Sequence, residues 1–279
     1  MAEITATLVK ELRIATNVSM MECKKALVEA DGDMDKAIIL LRERGMAVAA
    51  KKAARTANQG IIASATTEDD KITSLVEINC ETDFVTRNQI FQAFVRELAA
   101  RACATDGNLA DEVQDELTRK IAEIGENIVA RRNVRFVLKD VGKVASYIHM
   151  GGKVGVLVEL GCEKPETTKT EQFKELLKDL TLHVAAANPG YLTSTDVPET
   201  KITAERDIYA KQVDGNKPPQ IVQKIVDGKI KKFFAEVCLV DQGFVKEPKQ
   251  SIAALLSEKS KQLGDTLSIR RFVRYQLGV

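Results

Sequence analysis

Cys80, Asp83 and His149 supply a thiol, a carboxylate and an imidazole, the groups from which an activated thiol nucleophile is made. The chain's only other imidazole is His183, and two histidines are too few for a histidine-rich metal site. No Gly-x-x-x-x-Gly-Lys-[Ser/Thr] loop, no Gly-x-Gly-x-x-Gly after a strand and no His-Glu-x-x-His is present. Cys80 closes the apolar run Leu75-Val76-Glu77-Ile78-Asn79-Cys80, which reads as a buried strand. Core packing accounts for such a thiol better than catalysis does. The expectation is a chain that is not an enzyme, needs no metal or cofactor, and works by binding another protein.

That strand occurs twice. Leu75-Val76-Glu77-Ile78-Asn79-Cys80-Glu81 returns as Leu157-Val158-Glu159-Leu160-Gly161-Cys162-Glu163, 82 positions on. The same offset carries Gly60 to Gly142, Ser64 to Ser146, Phe91 to Phe173 and Leu98 to Leu180. Register held without a gap over so long a stretch reads as a duplicated supersecondary unit. The copies part where the strand ends. Thr82-Asp83-Phe84-Val85 follows the first and Lys164-Pro165-Glu166-Thr167 the second. Thr82 or Asp83 can cap a helical turn, and Asp83 favours a helix N-terminus. On one reading Phe84 staples its own helix. On the other it projects for a partner, since the second copy keeps the scaffold without an aromatic.

The positioning elements follow from pattern. Residues 1–57 read as three short helices and a basic tail helix, with Ile4, Leu8, Leu12 and Ala15 as the first stripe and Met34, Ile38 and Leu41 as the third. Ser19 to Glu22 has the spacing of a capping box, and Asp31-Gly32-Asp33 stops one helix and caps the next. Met20 and Met21 with Lys24 and Lys25 are either one core residue beside a solvated face or a soft binding edge. Residues 58–140 form the first copy: a hairpin turning at Glu68-Asp69-Asp70, a helix over 89–103, a second helix over 109–124 ended by Gly125, and a strand over 133–138. Residues 141–279 form the second copy. Its hairpin turns at His149-Met150-Gly151-Gly152, which puts His149 at a tip, and its helix places His183 as a partly exposed packing residue. A helical hairpin at about 197–237 is inserted there, before a helix over 251–263 and a closing strand over 267–277. The expected class is α+β.

Bulk composition excludes several functions. Lys+Arg number 41 and Asp+Glu 40, a net charge of +1, which is not the footprint of a duplex nucleic-acid binder. No apolar run is long enough to span a membrane, and the N-terminus lacks a signal-peptide pattern. Five scattered cysteines without a Cys-x-x-Cys pair suit reduced thiols in the cytoplasm.

Taken together, Thr16-Asn17-Val18-Ser19-Met20-Met21-Glu22-Cys23-Lys24-Lys25-Ala26-Leu27 and Cys80-Glu81-Thr82-Asp83-Phe84-Val85 closely resemble the bacterial elongation factor Ts family. Ile124-Gly125-Glu126-Asn127-Ile128, Ser146-Tyr147-Ile148-His149, Val154-Gly155-Val156-Leu157-Val158 and His183-Val184-Ala185-Ala186 extend the likeness in the same order over nearly the whole chain. There are two departures: many relatives have Gly where Asn17 stands, and many continue past the final strand with a further partner-contacting helix, whereas this sequence ends at Val279.

The resemblance implies a ubiquitin-associated-like N-terminal bundle, two related core subdomains and guanine-nucleotide exchange on elongation factor Tu, in its GDP-bound and nucleotide-free states. It assigns Thr82, Asp83, Phe84 and Val85 to magnesium displacement, with Phe84 as a wedge. It assigns Arg13, Met20, Met21 and Lys24 to the N-terminal contact, and His149 and, more weakly, Val245 within the segment from Phe244 to Pro248 to a further contact. No nucleic acid or membrane is implied. The rival expectation is a binding adaptor without exchange activity.

Overall fold

The computed structural model describes residues 4–16, 18–213 and 217–279. The fold is α+β. Three helices come first: α1 (Ala6–Thr16), α2 (Met20–Glu29) and α3 (Met34–Lys52). Val9, Leu12, Cys23, Ala26, Leu27, Ala37 and Leu41 form their shared core. There is no separate tail helix, because α3 runs on unbroken through the basic stretch. Of the expected stripes, Leu12 and Leu41 are buried and Ile4, Leu8 and Met34 pack against the same core, but Ala15 and Ile38 face out and Ala37 takes the place of Ile38. Asp33 caps α3 by accepting from the Lys36 amide at 3.0 Å. Only half of the expected capping box forms on α2. The Ser19 hydroxyl accepts from the Glu22 amide at 3.4 Å, but the Glu22 carboxylate turns to the Lys25 ammonium at 2.8 Å. Asn17 lies outside the described residues.

The first copy comprises β1 (Gln59–Thr66), β2 (Ile72–Cys80), α4 (Asp83–Thr86), α5 (Gln89–Ala102), α6 (Leu109–Glu112), α7 (Gln114–Ile124) and β3 (Ile128–Val137). The helix expected over 109–124 is thus two, broken where Val113 turns into the core. Asn133 holds the start of α6, its side-chain oxygen accepting from the Leu109 amide at 2.8 Å. The second copy comprises β4 (Gly142–His149), β5 (Val154–Gly161), α8 (Glu171–Ala187), α9 (Glu199–Lys211), α10 (Pro219–Val237), β6 (Gly243–Phe244), β7 (Glu247–Ser251), α11 (Ile252–Leu263) and β8 (Ser268–Gln276). Helices α9 and α10 form the inserted hairpin. It is anchored at its base by Phe233, Val197 and Cys238, and Arg206 pairs with Asp227 at 2.7 Å along its length. The turn read at its tip lies partly outside the described residues.

Each copy builds an antiparallel three-stranded sheet, ordered β1-β2-β3 and β4-β5-β8. Central strands β2 and β5 are buried on both faces, which is why they read as nearly continuous apolar runs. Val76, Ile78 and Cys80 face α5, and Val156, Val158 and Leu160 face α8. The opposite faces meet each other through Ile62, Leu75, Phe136, Leu157 and Tyr275. The repeat is therefore packed against itself, and Ser64 bonds its own counterpart Ser146 at 3.0 Å. Gly60 and Gly142 keep the same close approach in both halves. A Cβ would stand 2.2 Å from the Ile78 carbonyl oxygen in one and 2.4 Å from that of Leu160 in the other.

Two buried carboxylates lie between the sheets. Glu77 on β2 pairs with Arg132 on β3 at 2.7 Å, and Glu159 on β5 pairs with Arg271 on β8 at 2.7 Å. Both pairs sit beside a bulge that adds one residue to the outer strand, Arg131 in the first sheet and Arg270 in the second. Burying a carboxylate is tolerable only when it is paired in this way.

Candidate functional site

The site builds upward from the end of β2. The chain leaves the strand at Cys80, runs extended through Thr82 and enters the single helical turn α4. Val85 is buried in the first-copy core and anchors that turn. Phe84 is 76% exposed, the most exposed large apolar side chain among the described residues. It does not tuck under its own helix. Asp83 forms an i,i+4 ion pair with Arg87 at 2.9 Å, and both remain largely in water. Ile90, one turn along, adds exposed apolar surface.

Thr82 does not cap α4 with its side chain. Its hydroxyl donates to Glu126 Oε1 at 2.6 Å, while Glu126 Oε2 accepts the amides of Thr82 at 3.0 Å and Glu81 at 3.1 Å. Glu81 answers by accepting the Asn127 amide at 2.7 Å. That bond, helped by Arg55, holds its carboxyl below the ordinary range. The N-terminal helices reach the same place. Lys52 donates to the Gly125 carbonyl, Arg55 pairs with Glu81 at 3.4 Å, and Asn127 donates to the Arg55 carbonyl at 2.8 Å.

The second copy repeats this frame without an aromatic. Asp265, like Glu126, follows a left-handed glycine, and it accepts the amides of Glu163 and Lys164, both at 3.1 Å. Burial raises the Asp265 pKa, but bonds from Thr167 and those amides outweigh it and hold the carboxyl low. Lys164 donates to the Gly264 carbonyl at 2.6 Å, where the first copy uses Lys52. A recurring pattern, Gly125-Glu126 before β3 and Gly264-Asp265 before β8, was the sequence signal for this clamp.

The other expected contact residues are on the surface. Arg13 on α1 and Met20, Met21 and Lys24 on α2 are exposed. His149 ends β4 in an exposed position, its Nδ1 2.9 Å from the Tyr147 hydroxyl and its ring stacked on that tyrosine. Val245 is exposed between β6 and β7, beside the buried Phe244. His183 is fully buried, not partly exposed. Its Nδ1 accepts the Val245 amide at 3.3 Å and its Nε2–H donates to Gln242 at 3.0 Å. Sequence distance hid this, because Gln242 and Val245 reach α8 only after the inserted hairpin.

The thiol constellation does not assemble. Cys80 donates to the Thr82 carbonyl at 3.3 Å, and its counterpart Cys162 donates to the Lys164 carbonyl at 3.4 Å. Burial, reinforced by Glu126, pushes the Cys80 thiol up to about 12, which suits a core residue and not a nucleophile. All five cysteines are buried and free. Among the described residues no cluster of His, Cys, Asp and Glu could hold a metal, and no helix is long and apolar enough to cross a membrane.

Comparison with known proteins shows the family. The family model described as elongation factor TS matches residues 81–279. Elongation factor Ts of Clostridium perfringens is 46% identical over 287 residues, covering 99% of this chain and 93% of that protein. Elongation factor Ts of Nitratidesulfovibrio vulgaris is 42% identical over 276 residues, covering 99% and 96%. The chain is a translation elongation factor by class. Within that class it belongs to the elongation factor Ts family.

Proposed function

We propose that the chain binds elongation factor Tu in the cytoplasm and promotes GDP release by displacing magnesium and distorting the nucleotide site, with no covalent step. The observation that carries this reading is the Phe84 ring, 76% exposed on a turn whose counterpart lacks an aromatic. A ring held in water contributes little to its own core and can be buried in another molecule. That burial is worth about 1.5–3 kcal/mol, or roughly tenfold to a hundredfold in an equilibrium constant.

Exchange needs a factor that binds the empty partner better than the loaded one. Linkage then requires the factor to weaken nucleotide by the ratio in which nucleotide weakens the factor. A larger effect than one ring supplies must come from further contacts. Arg13, Met20, Met21 and Lys24 provide one set, and His149 with Val245 another. Asp83 stands beside the wedge, while Val85 anchors it and Thr82 orients it. The working division is an N-terminal module at 1–57, a first core copy at 58–140 and a second at 141–279 with the insertion at about 197–237. No direct contact with nucleic acid or membrane is involved.

Stopped-flow release of fluorescent GDP from purified elongation factor Tu, with and without this chain, tests the reading. A saturable acceleration is expected. Complex formation with an unchanged release rate would leave a binding adaptor and overturn exchange.

A further inference from the structure

We propose that Glu126 is a positioning residue for exchange: its carboxylate fixes the angle at which the α4 turn presents Phe84. The inference rests on the exchange reading above. Three donors converge on this one carboxylate, the Glu81 amide at 3.1 Å, the Thr82 amide at 3.0 Å and the Thr82 hydroxyl at 2.6 Å. They belong to the two residues that immediately precede α4. The Thr82 carbonyl is held as well, accepting from Cys80 at 3.3 Å. Every polar group of Thr82 is therefore engaged, and the residue has no freedom to cap the turn in another geometry. Val85 pins the other side in the core. Phe84 is left as the one large side chain of the turn in water, with its backbone fixed at both ends.

Hydrogen bonds to an ionised carboxylate are roughly twice as strong as neutral ones. Glu126 is itself held at the α7–β3 junction by the left-handed Gly125, and its neighbour Asn127 bonds back to Glu81. The clamp is reciprocal: Glu126 holds Glu81 while Glu81 holds Asn127. A displacement of about 1 Å in a positioning group can cost on the order of a hundredfold in rate. Loss of the clamp therefore acts on release without removing any atom that meets the partner.

The second copy supplies the control. Asp265 makes the same two amide contacts to Glu163 and Lys164, on a strand exit that carries no aromatic. A purely structural clamp would affect both halves alike. The test uses Glu126→Ala, Glu126→Gln and Asp265→Asn in the full chain, with GDP release from elongation factor Tu as readout. Glu126→Ala is expected to slow release at saturating factor about tenfold, with a much smaller change in the half-saturating concentration. Glu126→Gln keeps one accepting oxygen and should fall between; it carries the test if the alanine variant does not fold. Asp265→Asn should lower the melting temperature but leave release within about twofold.

Combining Glu126→Ala with Phe84→Ala should slow release no further than Phe84→Ala alone, since both act through one ring. Full release by folded Glu126→Gln and Glu126→Ala, or slowing that adds to that of Phe84→Ala, overturns the inference while exchange by the wedge survives. A Phe84→Ala chain with an unchanged release rate overturns the exchange mechanism itself, and this inference with it.

Discussion

The guanidinium of Arg271 lies over the Phe136 ring, 4.2 Å from its centroid. Its counterpart Arg132 lies over Tyr275, also at 4.2 Å. Each arginine neutralises a carboxylate buried in its own sheet and then reaches a carbonyl of the other, Arg271 to Val137 at 2.8 Å and Arg132 to Gln276 at 2.9 Å. The halves are thus locked by exchanged arms. Arg271→Ala and Arg132→Ala should each lower unfolding free energy by about 1–3 kcal/mol. Neighbouring Arg270 and Arg131 moderate the loss by remaining near the same carboxylates, Arg270 at 3.2 Å and Arg131 at 4.0 Å. Urea titration checks this, and a neutral result at either position would break the equivalence.

Phe84→Ala should leave folding almost untouched, because the ring is already in water; a change within about 0.5 kcal/mol is expected. GDP release from elongation factor Tu should nevertheless slow about tenfold or more. Circular dichroism and stopped-flow fluorescence on the same preparation separate the two effects.

Cys80→Ala should act the opposite way. Removing a buried sulfur beneath the turn is expected to cost about 1–2 kcal/mol of stability while exchange at saturation persists. Total loss of exchange in a folded Cys80→Ala chain, not recovered in Cys80→Ser, which restores a donor to the Thr82 carbonyl, would assign the thiol a chemical role after all.

Burial holds the His183 pKa below its ordinary 6.5, partly opposed by the bond to Gln242. A lowered histidine pKa means that the unfolded chain takes up a proton first. The stability that His183 contributes is therefore complete above pH 6.5 and is lost as pH falls toward the depressed folded value. Melting temperature should drop across that interval, and the drop should flatten in His183→Gln. An unchanged slope in the variant would mean that other groups control it.

The repeat was legible because buried strands leave apolar runs, and β1, β2, α5, β4, β5 and α8 all fall where pattern placed them. Local rules failed where distant residues decide. Val113 breaks a helix because its side chain turns into the core. Glu22 abandons its capping box for Lys25 and Arg44. His183 is buried by residues some sixty positions away. The Glu126 clamp joins positions 44 and 45 residues apart, so its motif was visible while its bonds were not.

Lys52 ends the last N-terminal helix and donates to the Gly125 carbonyl, an anchor that the second half draws from its own Lys164. The first half thus borrows a fastening from the module in front of it. Proteolytic trimming beyond Lys52 would do more than remove three helices, because it would also strip the brace beside the aromatic tip. A shortened factor that binds weakly and exchanges slowly would then be reporting two injuries from one cut.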